Sequence, residues 1–274
     1  TVAWGAPTLY YYCTQHSGMG GQANTTETRG STNLKGSIPS IVSANTSAGF
    51  SIVSYTGTGS NGTIGHGLTS APEVIIIKAR TRNENWLVYH KFDGGTDGRS
   101  FLNLNLTVDK FDNGASGYFQ GTAPTASLFY QNGSSYNQNT DTYIAYCFHS
   151  VEGYSKFGSY FGNSSGTDGP FVHTGFAPTF VLGKVTTQSG RWWIYDSARS
   201  PKMNYAIGTG AYIAANNTMA NSTQVEAADN GVNAIELLSN GFKVNTTNAE
   251  WNGSTHTYVY LAFAEAPFKF ANAR

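Results

Sequence analysis

Pro72-Glu73-Val74-Ile75-Ile76-Ile77-Lys78 is followed, eight residues after its Lys, by Trp86-Leu87-Val88-Tyr89. The same phrase returns as Pro178-Thr179-Phe180-Val181-Leu182-Gly183-Lys184, and Trp192-Trp193-Ile194-Tyr195 again begins eight residues on. Moving outward, Gly49-Phe50-Ser51-Ile52-Val53-Ser54-Tyr55-Thr56-Gly57 precedes the first copy. Gly153-Tyr154-Ser155-Lys156-Phe157-Gly158-Ser159-Tyr160-Phe161-Gly162 precedes the second. Each copy closes on an aromatic run, Tyr143-Ile144-Ala145-Tyr146-Cys147-Phe148 and Tyr258-Val259-Tyr260-Leu261-Ala262-Phe263. Self-similarity at a spacing of roughly 100 residues marks a duplicated structural unit.

Within each copy the signals are those of strands. Val74 to Ile77 is continuously apolar and β-branched, which suits a strand buried on both faces. Gly57-Thr58-Gly59-Ser60-Asn61-Gly62 reads as a loop, and Asn113-Gly114 and Asn240-Gly241 read as hairpin turns. Gln224 to Leu238 is the only helix-like stretch. Many short strands separated by Gly and Asn turns predict an all-β fold: two tandem antiparallel β-sandwich repeats, jelly-roll-like, with an extended N-terminal arm. The divisions are an arm or linker over 1–48, repeat one over 49–150 and repeat two over 151–274. His149-Ser150-Val151-Glu152 is too short for a flexible tether. Two sandwiches packed rigidly end to end are expected, or one larger sandwich with pseudo-twofold symmetry.

Composition narrows the function classes. Only 12% of residues are charged, against roughly 25% in ordinary globular chains, so the surface draws its polarity from Ser, Thr and Asn. The formal net charge is zero, and without clustered cations nucleic-acid binding is not expected. No stretch reaches the roughly 18 apolar residues of a membrane span. Numbering begins at Thr1 without Met, and an upstream piece is expected.

Candidate chemistry is sparse. Cys13, His16 and Met19 have the Cys-x2-His-x2-Met spacing of a cupredoxin ligand loop. They would bind a metal only if an upstream cupredoxin module supplied the rest. The histidines show no metal-binding spacing, and His66 and His173 fall at similar turn positions. Asp93, Asp97, Asp109 and Asp112 could supply paired carboxylates for glycosidase chemistry, but loop Asp residues more often stabilise turns. The repeated aromatics give ligand-binding candidates: Trp86, Tyr89 and His90 in copy one, and Trp192, Tyr195 and Asp196 in copy two. Exposed Trp rings there would stack on sugars, whereas Trp inside a strand packs a core. No catalytic residue and no cofactor is assigned.

The run Gly49 to Gly59 with Gly65-His66-Gly67-Leu68, Tyr143 to Ser155 and Asp168-Gly169-Pro170-Phe171-Val172 resembles a duplicated β-domain found in structural and tail-fibre proteins of marine tailed phages. The closing segment Ala262 to Asn272 is similar to the C-terminal signature of those proteins. Leu9 to Gly20 resembles the end of the cupredoxin-like module that precedes it there. The resemblance implies a non-enzymatic virion structural protein, a tail-fibre or capsid-decoration component at the virion surface or outside the cell. Its implied partners are further copies of itself, other virion or filament subunits, and host surface glycans. Two alternatives stand beside it. One is a lectin-like carbohydrate-binding module, and the other is a filament subunit whose N-terminal arm adds as a strand to its neighbour.

Overall fold

Val74 to Ile77 opens a strand covered on both faces, and the layers of the fold follow from that requirement. The computed structural model describes residues 9–12, 20–23, 30–93, 98–197, 216–221, 227–228 and 234–265. β1 (Leu9–Tyr12) and β2 (Gly20–Ala23) form a two-stranded hairpin. The first half contains β3 (Ser31–Asn33), β4 (Ser40–Asn45), β5 (Phe50–Thr56), β6 (Gly62–Gly65), β7 (Val74–Ala79) and β8 (Leu87–His90). It continues with β9 (Ser100–Asn103), β10 (Phe111–Asp112), β11 (Leu128–Gln131) and β12 (Thr142–Phe148). The second half contains β13 (Ser155–Phe161), β14 (Phe171–His173), β15 (Phe180–Val185), β16 (Trp193–Asp196) and β17 (Asn216–Met219). β18 (Ala227–Ala228), β19 (Ala234–Leu238), β20 (Gly241–Asn245), the one-turn helix α1 (Ala249–Asn252) and β21 (Thr257–Phe263) complete it.

All strand pairs are antiparallel, and the two halves share one strand order. The large sheet of the first half runs β10-β9-β8-β7-β12-β5-β4-β3, and that of the second runs β18-β17-β16-β15-β21-β13. From β10 to β5 and from β18 to β13 the sequence of counterparts is identical. Each large sheet faces a small one, β6 with β11 and β14 with β20 and β19. Among the described residues the large sheet of the first half carries two strands more, β4 and β3, added outside β5.

Three apolar layers separate four sheets. Ile64 and Phe129 of the first small sheet pack with Val53, Ile75, Ile77 and Tyr89 of the first large sheet. Val172, Phe242 and Val244 pack with Tyr160, Val181, Tyr195 and Tyr258 in the second half. The third layer lies between the large sheets, where Val74, Val88 and Leu102 meet Phe157, Leu182, Trp192, Val259 and Leu261. Successive residues of a strand point to opposite faces. Ile75 and Ile77 therefore serve one layer while Val74 and Ile76 serve the other. Burying each such side chain contributes about 1.5–3 kcal/mol, so an uncovered large-sheet face would forfeit several of these contributions.

This central layer corrects the end-to-end expectation: the halves lie back to back. The central strands β7 and β21 are apolar on both faces, so both faces of each large sheet need cover there. The short joint is tied down as well, because the Glu73 carboxylate accepts from the Ser150 amide at 2.9 Å and from its hydroxyl. Residues 31–33 and 40–45, expected as arm, are the last two strands at one side of the first large sheet, with β3 at its edge. Within the helix-like stretch, the described residues 227–228 and 234–238 are strand, and the helix sits later, at α1. Asn113-Gly114 opens a 3-10 turn rather than a hairpin, because the next strand, β11, belongs to the other sheet. The turn at Ser239 and Asn240 does join a hairpin, with Leu238 opposite Gly241.

Candidate functional site

The sequence-selected aromatics occupy matched positions, but most of them are internal. Trp192 is fully buried between the large sheets, where its indole N–H donates to the Asn103 carbonyl at 2.9 Å. Tyr89, His90 and Tyr195 are buried too, while Trp86 and Asp196 are partly exposed. Four of the six candidates therefore cannot present a stacking face to a sugar, and paired Trp platforms do not form. The central layer claims Trp192 and His90, while Tyr89 and Tyr195 are claimed by the layers between each large sheet and its small one.

The structure gives these residues other work, and gives it twice. The Lys78 ammonium lies 5.9 Å from the Trp86 ring centre and donates to the Glu84 carbonyl. The Lys184 ammonium lies 6.0 Å from the Trp192 ring centre and donates to the carbonyls of Gly190 and Thr107. The Trp86 amide donates to the Asn105 side chain at 2.8 Å, and the Trp192 amide to the Asn221 side chain at 3.1 Å. Burial lowers the Lys184 pKa to about 8, with Glu250 and Asp109 opposing the shift. His90 lies in the central layer beside the Tyr260 carbonyl at 3.3 Å, and burial lowers its pKa to about 4.

A second repeated device escaped the sequence reading. Tyr55 stacks on Tyr143 at 5.1 Å, and Tyr160 stacks on Tyr258 at 4.9 Å. The Tyr55 hydroxyl donates to the Tyr136 carbonyl at 2.8 Å, and that of Tyr160 to the Trp251 carbonyl at 2.9 Å. The next residue in each case is a fully buried Asn, Asn137 or Asn252. The Asn137 side chain accepts from the Thr58 amide at 3.0 Å and donates to the Ser60 carbonyl at 2.6 Å. Asn252 accepts from the Asn163 amide at 2.7 Å and donates to the Ser165 carbonyl at 3.0 Å. Gly57 and Gly162 lie against these turns, where an added Cβ would fall 2.1 Å from the Gln138 oxygen and 2.3 Å from the Gly253 oxygen. The sequence signal was present: an Asn stands six residues before Tyr143 and before Tyr258.

The histidine equivalence is shifted by one residue. His66 is matched by Thr174, since the Leu68 amide donates to His66 Nδ1 at 3.2 Å and the Phe176 amide contacts Thr174 Oγ1 at 3.4 Å. His173 is exposed. The acidic candidates do not converge on a groove. Asp93 is buried and accepts from the Ser100 hydroxyl, Asp112 accepts from the Gly114 amide at 2.9 Å, and Asp97 lies outside the described residues. Cys13, His16 and Met19 also lie outside the described residues. Among the described residues, no three His, Cys, Asp or Glu side chains gather as a metal-binding group. Cys147 is buried, and desolvation pushes its thiol up to about 12.

An open depression of about 340 Å³ is lined by Asn61, Ala115, Ser116, Gln120, Asn132, Gly133 and Ser134. No ionisable side chain lines it, so what it offers is neutral hydrogen bonding. Gln120 has a left-handed φ of 57° and is held by donation to the carbonyls of Gly62 at 3.0 Å and Gln131 at 2.7 Å.

No helix among the described residues is long and apolar enough to cross a membrane. No curated protein and no solved structure matches the chain. A family model described as a domain of unknown function, DUF7483, matches residues 23–267, a span that includes both halves as one unit, and the chain belongs to that family.

Proposed function

We propose that the chain is a non-enzymatic structural protein, a rigid β-scaffold displayed on an assembled particle. A virion surface component of tail-fibre or capsid-decoration type is the reading favoured by its sequence resemblance. One observation carries the scaffold reading: the unusual polar contacts recur in both halves and are spent on packing. Lys78 and Lys184 anchor loops over Trp rings, and Asn137 and Asn252 pin turns beneath stacked tyrosines. A catalytic site would set one half apart from the other, since catalysis needs a specific constellation and perturbed groups facing a cleft. Here the strongly perturbed groups, such as His90 and Cys147, face the core. Gold-labelled antibody against this chain, imaged on native particles, tests the placement. Labels arrayed on a particle surface support it, and a chain found only free in solution contradicts it.

The depression beside Gln120 favours a second reading in which the scaffold contacts a neutral glycan. Amide and hydroxyl side chains without charge suit sugar hydroxyls. Glycan-array binding that is lost on Ser116→Trp would support this reading, and binding unaffected by that change would move the contact elsewhere.

A further inference from the structure

The two large sheets differ by two strands, and the difference leaves a slot. Outside β5 the first sheet carries β4, with Ile41 opposite Ser54 and Ser43 opposite Ile52, and then β3. Outside β13, the counterpart of β5, no strand is paired among the described residues. The residues just upstream cannot supply one, because 151–155 are used in a tight turn in which Val151 and Ser155 bond each other.

The free edge has a definite set of groups. The Ala264 amide bonds the Tyr154 carbonyl and the Gly162 amide bonds the His256 carbonyl, so even-numbered residues of β13 face β21. Antiparallel pairs alternate, and the odd-numbered residues therefore point their backbone groups outward. The Ser155 amide goes to the Val151 carbonyl and the Phe157 amide to the Ser150 hydroxyl. By the same alternation the carbonyl of Phe157 and both backbone groups of Ser159 and Phe161 point to the open side, where no strand among the described residues pairs with them.

The first sheet overhangs this edge. Phe148 of β12 contacts Phe157 of β13, which places β5 and the added β4 and β3 at and beyond the second sheet's end. Ile41 shares the face of β4 that corresponds to Phe50 and Phe148, the face turned toward the second sheet, yet it is 51% exposed. Phe161 is 73% exposed at the same border. A strand added to β13 would lie beneath β4 and cover both.

The hairpin of β1 and β2 is the piece of matching width. Its strands pair with each other and with no other strand among the described residues. An isolated two-stranded hairpin is marginal in water, and the Leu9-Tyr10-Tyr11-Tyr12 sequence of β1 favours strand. Among the described residues, one copy of the chain leaves both the hairpin and the slot unfilled. We infer that the β1–β2 hairpin of a second copy adds to the free edge of β13 beneath β4, joining copies head to tail. Such a heterologous contact propagates into a ring or a filament. The inference deepens the scaffold reading and fails separately from it, because assembly through another surface would leave that reading standing.

The test uses the full chain in light and heavy isotopic forms, mixed, with Phe161→p-benzoylphenylalanine in one of them. Photolysis is expected to give light–heavy crosslinks from position 161 to residues 9–23. In parallel, Ser159→Pro removes an outward N–H and spares the β21 ladder, so sedimentation should show the assembled fraction falling at least tenfold with the thermal midpoint nearly unchanged. The inference is overturned by crosslinks to 9–23 within one copy only, by crosslinks joining β13 to β13, or by a wild-type chain that stays monomeric. Unchanged assembly in folded Ser159→Pro overturns it as well.

Discussion

Lys184 is a charged residue put to structural use. Its ammonium is buried and satisfied by two carbonyls and an indole face, whereas the half-buried Lys78 donates to one carbonyl, that of Glu84, beside the partly exposed Trp86. Removing one partner of a buried hydrogen bond costs the desolvation of the other, about 1–3 kcal/mol. Lys184→Met should therefore lower stability by about 2–3 kcal/mol in urea unfolding, and Lys78→Met by under about 1 kcal/mol. His90 gives a pH signature. It is neutral in the fold down to about pH 4, while in the unfolded chain it takes a proton near 6.5. The unfolded state thus binds more protons between those values, and stability falls as pH drops from about 6.5 to about 4, by on the order of 3 kcal/mol. His66, lowered by burial as well, adds in the same direction. Urea midpoints measured from pH 7.5 to 4 should show this slope, and His90→Gln should flatten it. Cys147, with its thiol pushed up to about 12, should resist alkylation until the chain unfolds, which peptide mapping of labelled protein can read.

At the scale of elements, the strands were legible because apolar runs and Gly or Asn turns carry local signals. Val74 to Ile77 announced a strand buried twice over, and the paired closing runs announced β12 and β21. The outer strands β4 and β3 were not legible, since Ser31 to Asn45 is rich in Ser and Asn and its apolar contribution to the core is Ile38 and Val42. The Asn137 and Asn252 pins were hidden for a different reason. Asn is usually a turn residue, and burial of its amide is decided by what the neighbouring strand brings to it. Each pin joins a turn to the start of a closing strand, so Asn137→Ala and Asn252→Ala should each cost about 2–4 kcal/mol by leaving buried amides and carbonyls unpaired. The two sites lie in different apolar layers, so their costs should add in the double variant. Chemical denaturation of the three variants checks both points.

The whole molecule is a duplicated unit folded onto its own copy. Sequence periodicity revealed the duplication, but not which faces meet, because the same apolar residues could serve an end contact or a face contact. Trp192 misled for that reason, since it fills the layer between the large sheets, whereas Tyr195 is claimed by the layer inside the second half. The central layer makes one half's stability depend on the other's, through Val74, Val88 and Leu102 against Phe157, Trp192 and Leu261. Native-state hydrogen exchange across a urea series, read at the amides of β7 and β15, tests this dependence most directly. The two strands should lose protection at one common midpoint, and Trp192→Ala should lower it in both together. Loss of protection in one half while the other stays closed would show two independent sandwiches and contradict a single sealed scaffold.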